Sequence, residues 1–309
     1  MSARPIIIDT DPGQDDAVAI LLALAAPELE VLGITAVAGN VPLALTTVNA
    51  LKICELAGRT DIPVYSGAIR PLVRPLVTAE YVHGKTGLDG PDLPAPTMKL
   101  QDQHAVDFII DTLKSQRATL CPLGPLTNIA MAFNRAPEIV DQVDEIVLMG
   151  GGLFEGGNVT PAAEFNIYVD PHAADVVFRS GAKITVMPLD LTHRALTSRE
   201  RVQAFRDIGS KVGEAVADLL DFFERYDEEK YGTEGGPLHD PNVIAYLLEP
   251  GLYQGRFVNV EVETGSELTM GMTVADYWGT SGRPANATWM RDVDDAGFFR
   301  LLTERIARL

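Results

Sequence analysis

The sequence predicts an α/β protein with a mostly parallel central sheet and helices on both faces. Short apolar runs rich in β-branched residues recur along the chain, and stretches with helical spacing separate them. A hydrophobic fraction of 46% with 22% charged residues is typical of a globular protein that buries a large core. The 309 residues contain no internal repeat and no linker-like tract rich in Ser, Gly or Pro, so we expect one domain over residues 1–309.

Strands and helices alternate over the first two thirds of the chain. The predicted strands are Ile6–Ile8, Val31–Val37, Pro63–Tyr65, Ala118–Leu123, Glu145–Met149 and Lys183–Leu189. The predicted helices between them are Asp16–Ala26, Leu43–Ala57, His104–Gln116, Thr127–Phe133 and Pro171–Ser180. The pattern then predicts one long helix from Ser198 to about Tyr231, a helix over Asp240–Leu248, a strand over Phe257–Glu263 and a last helix near Ala296–Leu309.

Charge and cysteine content exclude several classes of partner. The 25 basic and 43 acidic side chains give a formal net charge of −18, which repels nucleic-acid polymers and anionic membrane surfaces. A cation or a small neutral ligand fits this charge better. Cys54 and Cys121 lack the spacing of a zinc site and are expected to be reduced. No secretion signal precedes the first strand and no window approaches 18 uninterrupted apolar residues, so we expect a cytoplasmic protein.

Four carboxylates follow the first predicted strand. Asp9, Asp11, Asp15 and Asp16 lie within eight residues on a strand-to-helix turn. In open α/β sheets, ligands bind beyond the carboxyl ends of the strands, which is where this turn lies. Carboxylates so close together raise one another's pKa and destabilise the fold unless a cation neutralises them. Capping of the helix explains one or two of them, so we predict a hard metal ion held by oxygen atoms.

Two known Asp-rich motifs fit this turn poorly. An EF-hand loop that started at Asp9 would need an acidic or amide group at Gly13 and a Glu at Ile20. Aspartyl-phosphate phosphatases also begin with Asp-x-Asp after a strand, the first Asp serving as nucleophile. They usually carry Thr or Val where this chain has Gly13, and they have no counterpart of the Asp15-Asp16 pair. The phosphatase remains an alternative.

Two further polar groups have a functional and a structural interpretation. Asn158, Glu164 and Asn166, around Phe165, suit recognition of hydroxyl groups, although a solvated loop would look the same. His239 and Asp240 are adjacent and point in different directions. They could serve as a general acid and a metal ligand, or simply as a loop residue and a helix N-cap.

The chain resembles the inosine–uridine-preferring nucleoside hydrolases. The resemblance covers essentially the whole chain in order, and the aspartate motif is highly specific. The motifs that carry it are Asp9-Thr10-Asp11-Pro12-Gly13-Gln14-Asp15-Asp16-Ala17, Val37-Ala38-Gly39-Asn40, His83-Gly84, Gly124-Pro125-Leu126-Thr127-Asn128, Val147-Leu148-Met149-Gly150-Gly151-Gly152, Ala163-Glu164-Phe165-Asn166 and His239-Asp240-Pro241.

The resemblance implies an activity, a cofactor and an assembly. It implies a nucleoside hydrolase fold that hydrolyses the N-glycosidic bond of a small-molecule ribonucleoside to ribose and free base, in nucleoside salvage. It also implies one bound Ca²⁺ and a homo-oligomer, either a dimer or a tetramer. The rival class is a non-catalytic protein that binds nucleosides or ribose through calcium; the presence of both Asp11 and His239 argues against it.

Carried over position by position, the resemblance also implies roles for individual residues. The calcium ligands would be Asp11, Asp16, the backbone carbonyl of Thr127, and Asp240, with Asp11 also acting as general base. The ribose would be held by Asp15 and Asn40 at its diol and by Asn158, Glu164 and Asn166 at its 5′ side, with Met149 and Phe165 lining the pocket. Asp9 would support the loop from behind.

The base end is less specified by the resemblance. It would be built from His83, His239 and a helix segment that holds Phe223, Tyr226, Asp227 and Tyr231. His239 or Tyr231 would protonate the leaving base. Residues 231–239 look most like pyrimidine-preferring members, although Phe223 and Asp227 depart from their pattern. We therefore expect a slight preference for pyrimidine nucleosides such as uridine and cytidine, with inosine as a further substrate.

Overall fold

A single mixed sheet runs through the molecule. The computed structural model describes residues 3–231 and 235–309, except for the side chains of residues 226–231. Within this part the strands are β1 (Arg4–Thr10), β2 (Leu29–Ala36), β3 (Val64–Ser66), β4 (Ala118–Pro122), β5 (Val143–Met149), β6 (Ile184–Met187), β7 (Tyr253–Val262), β8 (Thr273–Asp276) and β9 (Ala287–Val293).

The order of the strands is that of a doubly wound sheet with an antiparallel edge. The order is β3-β2-β1-β4-β5-β6-β9-β7-β8. Neighbours from β3 to β9 pair in parallel, whereas β7 pairs antiparallel with both β9 and β8. This confirms the predicted fold class. The sequence pattern missed β8 and β9, since exposed and half-buried positions interrupt their apolar residues.

Helices cover both faces of this sheet. In the described residues they are α1 (Gln14–Leu24), α2 (Leu43–Leu56), α3 (Glu80–His83), α4 (Ala105–Ser115), α5 (Thr127–Arg135), α6 (Phe165–Val169), α7 (Pro171–Phe178), α8 (Leu189–Thr192), α9 (Arg199–Arg206), α10 (Lys211–Tyr231), α11 (Pro241–Leu248) and α12 (Asp295–Ile306). Short 3₁₀ turns span Pro137–Gln142 and Pro250–Leu252. None of the described helices is both long and apolar enough to cross a membrane.

The prediction of one long helix from Ser198 to about Tyr231 is wrong. The segment forms two helices, α9 and α10, that are separated by a turn at Gly209. Gly209 has a φ of +70°, a left-handed conformation that ends a helix and that glycine adopts without strain. The helical spacing on both sides of the turn hid this break, because α9 and α10 pack against each other along apolar faces.

The central strand β1 places the candidate site. Ile6 and Ile8 face the core layer that contains α1, whereas Ile7 faces the opposite layer with α4 and α5. The chain leaves β1 between β2 and β4, where the strand order reverses direction, and ligands bind at such switch points. Every residue of α1 is buried, including its first-turn acids Asp15 and Asp16. The acidic turn therefore lies inside the protein.

Candidate active site

Carboxylates from two distant parts of the chain converge beyond the end of β1. Asp15 and Asp16 at the start of α1 and Asp240 before α11 each place an oxygen atom so that the three atoms lie within 4.8 Å of one another. All three side chains are at most 5% exposed. Asp240 lies more than 220 residues after Asp15 and Asp16, and it meets them because α1 packs directly on α11. The three groups form one acidic cluster.

Asp11 lies next to this cluster in a cradle of backbone. Its Oδ2 accepts a hydrogen bond from the backbone N–H of Asn40 at 2.7 Å, whereas the buried Oδ1 has no hydrogen-bond partner. A Cβ atom at Gly39 would lie 2.0 Å from Oδ2, and one at Gly124 would lie 2.1 Å from Oδ1. Both glycines are therefore needed where the loops after β2 and β4 close on this carboxylate.

Asp16 is held by its own loop. Its Oδ1 accepts a hydrogen bond from the hydroxyl of Thr10, and its Oδ2 accepts from the backbone N–H of Gly13 at 2.9 Å. The side-chain amide of Asn40 donates to Oδ2 at 3.3 Å and to the backbone carbonyl of Asp11 at 3.1 Å. The loop thus fixes the carboxylate before any ligand arrives.

Burial raises the pKa of every carboxyl group in and beside the cluster, and repulsion by neighbouring carboxylates adds to this at Asp11, Asp15 and Asp240. Burial and then the charge of Asp16 raise the pKa of Asp15 from 3.8 to about 8. Burial also raises the pKa of Asp16, although its hydrogen bonds with Thr10 and Gly13 oppose the rise. Burial raises the pKa values of Asp11 and Asp240 well above the ordinary value, and the charges of neighbouring carboxylates raise these two further. Desolvation disfavours the charged form of all four groups unless a cation is near.

A divalent cation fits this donor set. The described residues that line the adjoining pocket include no lysine or arginine to balance the charge. Asp11 Oδ1 is a buried oxygen with a free lone pair, and the clustered atoms are all hard oxygen donors. These groups could hold a hard ion such as Ca²⁺, which prefers carboxylate and carbonyl oxygens.

A pocket opens above the acidic cluster. About 690 Å³ of space lies between its lining residues when the open solvent at its mouth is included, and Asp15, Asn40 and Asp240 form part of its floor. At one end, Glu164 Oε1 accepts from the backbone N–H of Asn166 at 2.9 Å, and Oε2 accepts from that of Gly151 at 3.0 Å. Burial raises the pKa of Glu164 to about 7, although these N–H groups oppose the rise.

Other side chains at the same end are also held by the backbone. Asn166 Nδ2 donates to the carbonyl of Leu123 at 2.6 Å and to that of Met149 at 3.3 Å. Asn158 Oδ1 accepts from the backbone N–H of Phe165 at 2.9 Å. Two amides, a carboxylate and a thioether thus line a polar recess that suits a small molecule with several hydroxyl groups.

Aromatic rings form the opposite end of the pocket. The ring of Phe223 from α10 lies between His83 and His239, with centroid distances of 5.7 and 6.3 Å. Nδ1 of His239 lies 2.8 Å from the hydroxyl of Thr192, and the His193 ring lies 6.0 Å from His239. Burial lowers the pKa of His83 to about 3, and burial together with smaller effects of His193 and His83 lowers that of His239 to about 3. Both rings are therefore neutral near pH 7.

Comparison with known proteins identifies the family. The family model described as inosine–uridine preferring nucleoside hydrolase matches residues 6–300. The chain belongs to the nucleoside hydrolase family. As a nucleoside hydrolase, it is an enzyme that acts on N-glycosyl bonds. This confirms the resemblance that the sequence motifs carried.

Individual relatives match the nucleoside hydrolase over almost its full length. It is 55% identical to an uncharacterised protein of Schizosaccharomyces pombe over 98% of this chain and 99% of that protein. It is 51% identical to the pyrimidine-specific ribonucleoside hydrolase RihA of Photobacterium profundum, over 99% of both chains. The solved purine-preferring ribonucleoside hydrolase of Gardnerella vaginalis is 35% identical and superposes with a TM-score of 0.91 over 98% of each chain.

Most of the residues predicted for the site meet around this one pocket of the nucleoside hydrolase. Those that line it directly are Asp15, Asn40, His83, Met149, Asn158, Glu164, Phe165, Asn166, His239 and Asp240. Asp11 and Asp16 lie just beneath its floor and are each 1% exposed. Asp15 belongs to the closest group of three carboxylates, although the resemblance assigned it to the ribose. Asp227 and Tyr231 lie outside the side chains that the structure describes.

Two other predicted residues lie behind the acidic cluster. Asp9 is fully buried, and its Oδ1 accepts hydrogen bonds from Thr35 at 2.5 Å and Asn128 at 2.8 Å. Such a carboxyl does not reach the pocket, so the geometry gives the phosphatase alternative no nucleophile at Asp9. Thr127 starts α5, and its hydroxyl donates to Asp170 at 2.8 Å.

Sequence reasoning missed several groups that complete the pocket. Tyr81 and Val82 on the one-turn helix α3 line it, and so does His193. Gln14 contacts His83, and Thr192 contacts His239, across 69 and 47 residues of sequence. No local spacing signals such pairs. Only the position of Gln14 inside the acidic motif could have drawn attention to it.

Proposed function

We propose that this nucleoside hydrolase is a calcium-dependent ribonucleoside hydrolase that cleaves uridine and cytidine in preference to inosine. One observation carries the proposal: a buried carboxylate cluster forms the floor of a pocket with a polar recess at one end and aromatic rings at the other. The recess suits a ribose and the rings suit a nucleobase. We also propose that the chain is a single domain, acts in the cytoplasm and assembles as a homo-oligomer, as expected from the sequence.

The cation would be held by Asp11, Asp16, Asp240 and the backbone carbonyl of Thr127. Support comes from the partnerless Oδ1 of Asp11 and from the close approach of Asp16 and Asp240. When bound, Ca²⁺ would lower the pKa of the attacking water and fix the ribose diol. Asp15 from the first turn of α1 and Asn40 from the loop after β2 both line the pocket and would hold that diol beside the cluster.

Asp11 is the proposed general base. The Asn40 N–H fixes its Oδ2, which leaves Oδ1 to take a proton from water that attacks the anomeric carbon. As the glycosidic bond breaks, positive charge develops on the sugar. The buried carboxylates and the amide oxygens of Asn158 and Asn166 lie around this position and would stabilise that charge.

His239 is the proposed donor to the leaving base. Thr192 holds its Nδ1 at 2.8 Å, and the ring stands at 89° to Phe223 across the aromatic end. Its lowered pKa makes the free ring neutral, so it would act through its single N–H. Donation to the base from Nε2 requires that the Thr192 hydroxyl donates to Nδ1. Tyr231 is a second candidate from the sequence, outside the described side chains.

The preference for pyrimidines rests on the relatives. The RihA protein named as pyrimidine-specific is 51% identical to this chain, whereas the hydrolase named as purine-preferring is 35% identical. Phe223 between two histidines provides a flat apolar surface that accepts either class of base.

A reducing-sugar assay tests the proposal. The protein with 1 mM Ca²⁺ is incubated with uridine, cytidine, inosine and 2′-deoxyuridine, on the order of 1 mM each, a level typical of enzyme KM values. We expect release of ribose, fastest from uridine or cytidine and slowest from the deoxynucleoside, which lacks one hydroxyl of the diol. Absence of sugar release from every nucleoside, with nucleoside binding retained, would leave only the non-catalytic binding protein.

Two variants test the role of Asp11. Asp11→Asn should retain calcium binding by the remaining ligands and lose at least roughly a hundredfold in kcat, because a general base typically contributes a factor of 10²–10⁴. Asp102→Asn makes the same chemical change at an exposed loop position and should leave kcat unchanged. If Asp11→Asn kept full turnover with calcium bound, another group would be the base.

A further inference from the structure

Three hydrogen bonds fix the side-chain amide of Gln14. Its Nε2 lies 3.0 Å from the backbone carbonyl oxygen of His83 and 3.0 Å from that of Asp89. Carbonyl oxygens only accept hydrogen bonds, so the NH₂ group of the amide must face them. The amide oxygen Oε1 is therefore the atom that lies 2.7 Å from Nδ1 of His83.

This arrangement determines which nitrogen of His83 carries a proton. An amide oxygen only accepts, so Nδ1 of His83 must donate to it. Burial lowers the pKa of His83 to about 3, which leaves the ring neutral with a single N–H. Once Nδ1 holds that proton, Nε2 is an unprotonated acceptor.

Nε2 of His83 is open to the pocket. In the part of the chain that the structure describes, this nitrogen has no hydrogen-bond partner. It is also not among the fully buried polar atoms that lack a partner, so a ligand in the pocket can reach it. The side chain lines the pocket, and its ring lies 5.7 Å from that of Phe223. A Cβ atom added at Gly13 would lie 2.4 Å from His83 Nδ1 and 3.0 Å from Asn40 Nδ2, so the His83 ring lies close to Asn40, which would hold the ribose diol in the proposed function.

We propose that Gln14 is a positioning residue that holds His83 as the Nδ1–H tautomer, so that Nε2 accepts a hydrogen bond from the bound nucleoside. The donor is either a base N–H or the 5′-hydroxyl, because both are donors that a sugar–base junction presents. The role of Nε2 rests on the proposed function, whereas the tautomer does not. The site then discriminates against a substrate that lacks this donor.

The first test reads the tautomer without substrate. Protein labelled with ¹⁵N-histidine carries five histidines, and His83→Gln assigns the signals of His83. We expect a protonated Nδ1 and an unprotonated Nε2 in the wild type, and loss of this pattern in Gln14→Leu. Asn49→Leu is the matched control, since Asn49 also donates to two loop carbonyls, those of Pro12 and Thr86. An Nε2–H tautomer in the wild type overturns the proposal.

The second test reads the consequence for catalysis. Gln14→Leu should lower kcat/KM for uridine about tenfold, the equivalent of one hydrogen bond, and more than Asn49→Leu does. If the base N–H is the donor, Gln14→Leu and the wild type should have the same kcat/KM for 3-methyluridine. If the 5′-hydroxyl is the donor, the two proteins should have the same kcat/KM for 5′-deoxyuridine. A loss that persists with both substrates, or an equal loss in Asn49→Leu, overturns the role of Nε2. If Gln14→Leu fails to fold, Gln14→Asn is measured in its place, because its side chain is one methylene shorter and moves the amide away from Nδ1 of His83.

Inactivity of the proposed hydrolase gives a different result from failure of this proposal. A wild-type protein that cleaves no nucleoside but shows protonated Nδ1 of His83, with the pattern lost in Gln14→Leu, refutes the activity and supports the positioning by Gln14. An active protein whose His83 tautomer is the same in wild type and Gln14→Leu supports the activity and refutes the positioning.

Discussion

Removal of the cation should destabilise this protein increasingly as the pH rises. The perturbation is chelation with EDTA, compared with saturation by 1 mM Ca²⁺, over a pH range of roughly 5 to 8 that spans the raised pKa of Asp15. In the metal-free fold the carboxyl of Asp15 is disfavoured in its charged form by burial and by Asp16. A bound cation would remove that penalty, so the stabilisation by Ca²⁺ should grow with pH.

The magnitude follows from the shifted pKa of Asp15. The carboxyl of Asp15 has a pKa near 3.8 in the unfolded chain and about 8 in the metal-free fold. Its contribution to the free energy of unfolding is therefore complete below pH 3.8 and is lost as the pH rises to about 8. The slope is about 1.4 kcal/mol per pH unit for one proton, or roughly 3 kcal/mol between pH 5 and pH 7. Asp11 and Asp240 act in the same direction because their pKa values are also raised.

Thermal unfolding with and without Ca²⁺ measures this effect. With an unfolding entropy of about 2.1 cal/mol/K per residue, roughly 3 kcal/mol corresponds to about 5 °C for a chain of this size. The gain in Tm from Ca²⁺ should therefore be about 5 °C larger at pH 7 than at pH 5. Asp15→Asn should reduce this difference, and the exposed control Asp102→Asn should leave it unchanged. A gain that is equal at both pH values, or larger at pH 5, would refute the reasoning.

Two further predictions concern the supports of the catalytic groups. Gly39→Ala places a Cβ 2.0 Å from Oδ2 of Asp11 and should lower kcat for uridine at least roughly a hundredfold, the scale of losing a positioned base. Gly251→Ala, where no atom lies within 4 Å of the added Cβ, should keep normal steady-state rates. Thr192→Val removes the partner of Nδ1 in His239 and should lower kcat about tenfold with little change in KM; a rise in KM alone would place His239 in substrate binding instead of catalysis.

The parts of the site that lie close together in sequence could be predicted, because local spacing carries them. Asp11, Asp15 and Asp16 share one strand-to-helix turn, so their convergence follows from a prediction of β1 and α1. For Asp240 the sequence leaves a metal ligand and a helix N-cap both open until the family resemblance is considered, because its approach depends on the packing of α11 against α1. Role assignments for these residues stay predictions until they are measured.

The remaining features depend on tertiary contacts that have no local signal. The one-turn helix α3 is too short for helical periodicity, yet it brings His83 into the pocket. Its partner Gln14 lies 69 residues earlier, and neither residue predicts the other. Likewise, the break between α9 and α10 covers only the four residues 207–210 around Gly209, and the helical spacing of apolar residues continues on both sides.

The buried charge also explains why the site is built from glycines, backbone N–H groups and amides. Each carboxylate in the cluster loses solvation, and an unpaired buried charge costs several kcal/mol. Basic side chains would neutralise the cluster, but they would also compete with the cation for the same oxygens. The protein instead offers weak neutral donors, such as the Asn40 N–H to Asp11 and the Gly13 N–H to Asp16. These donors orient the carboxylates and leave their charge for the cation and for the positive sugar of the transition state.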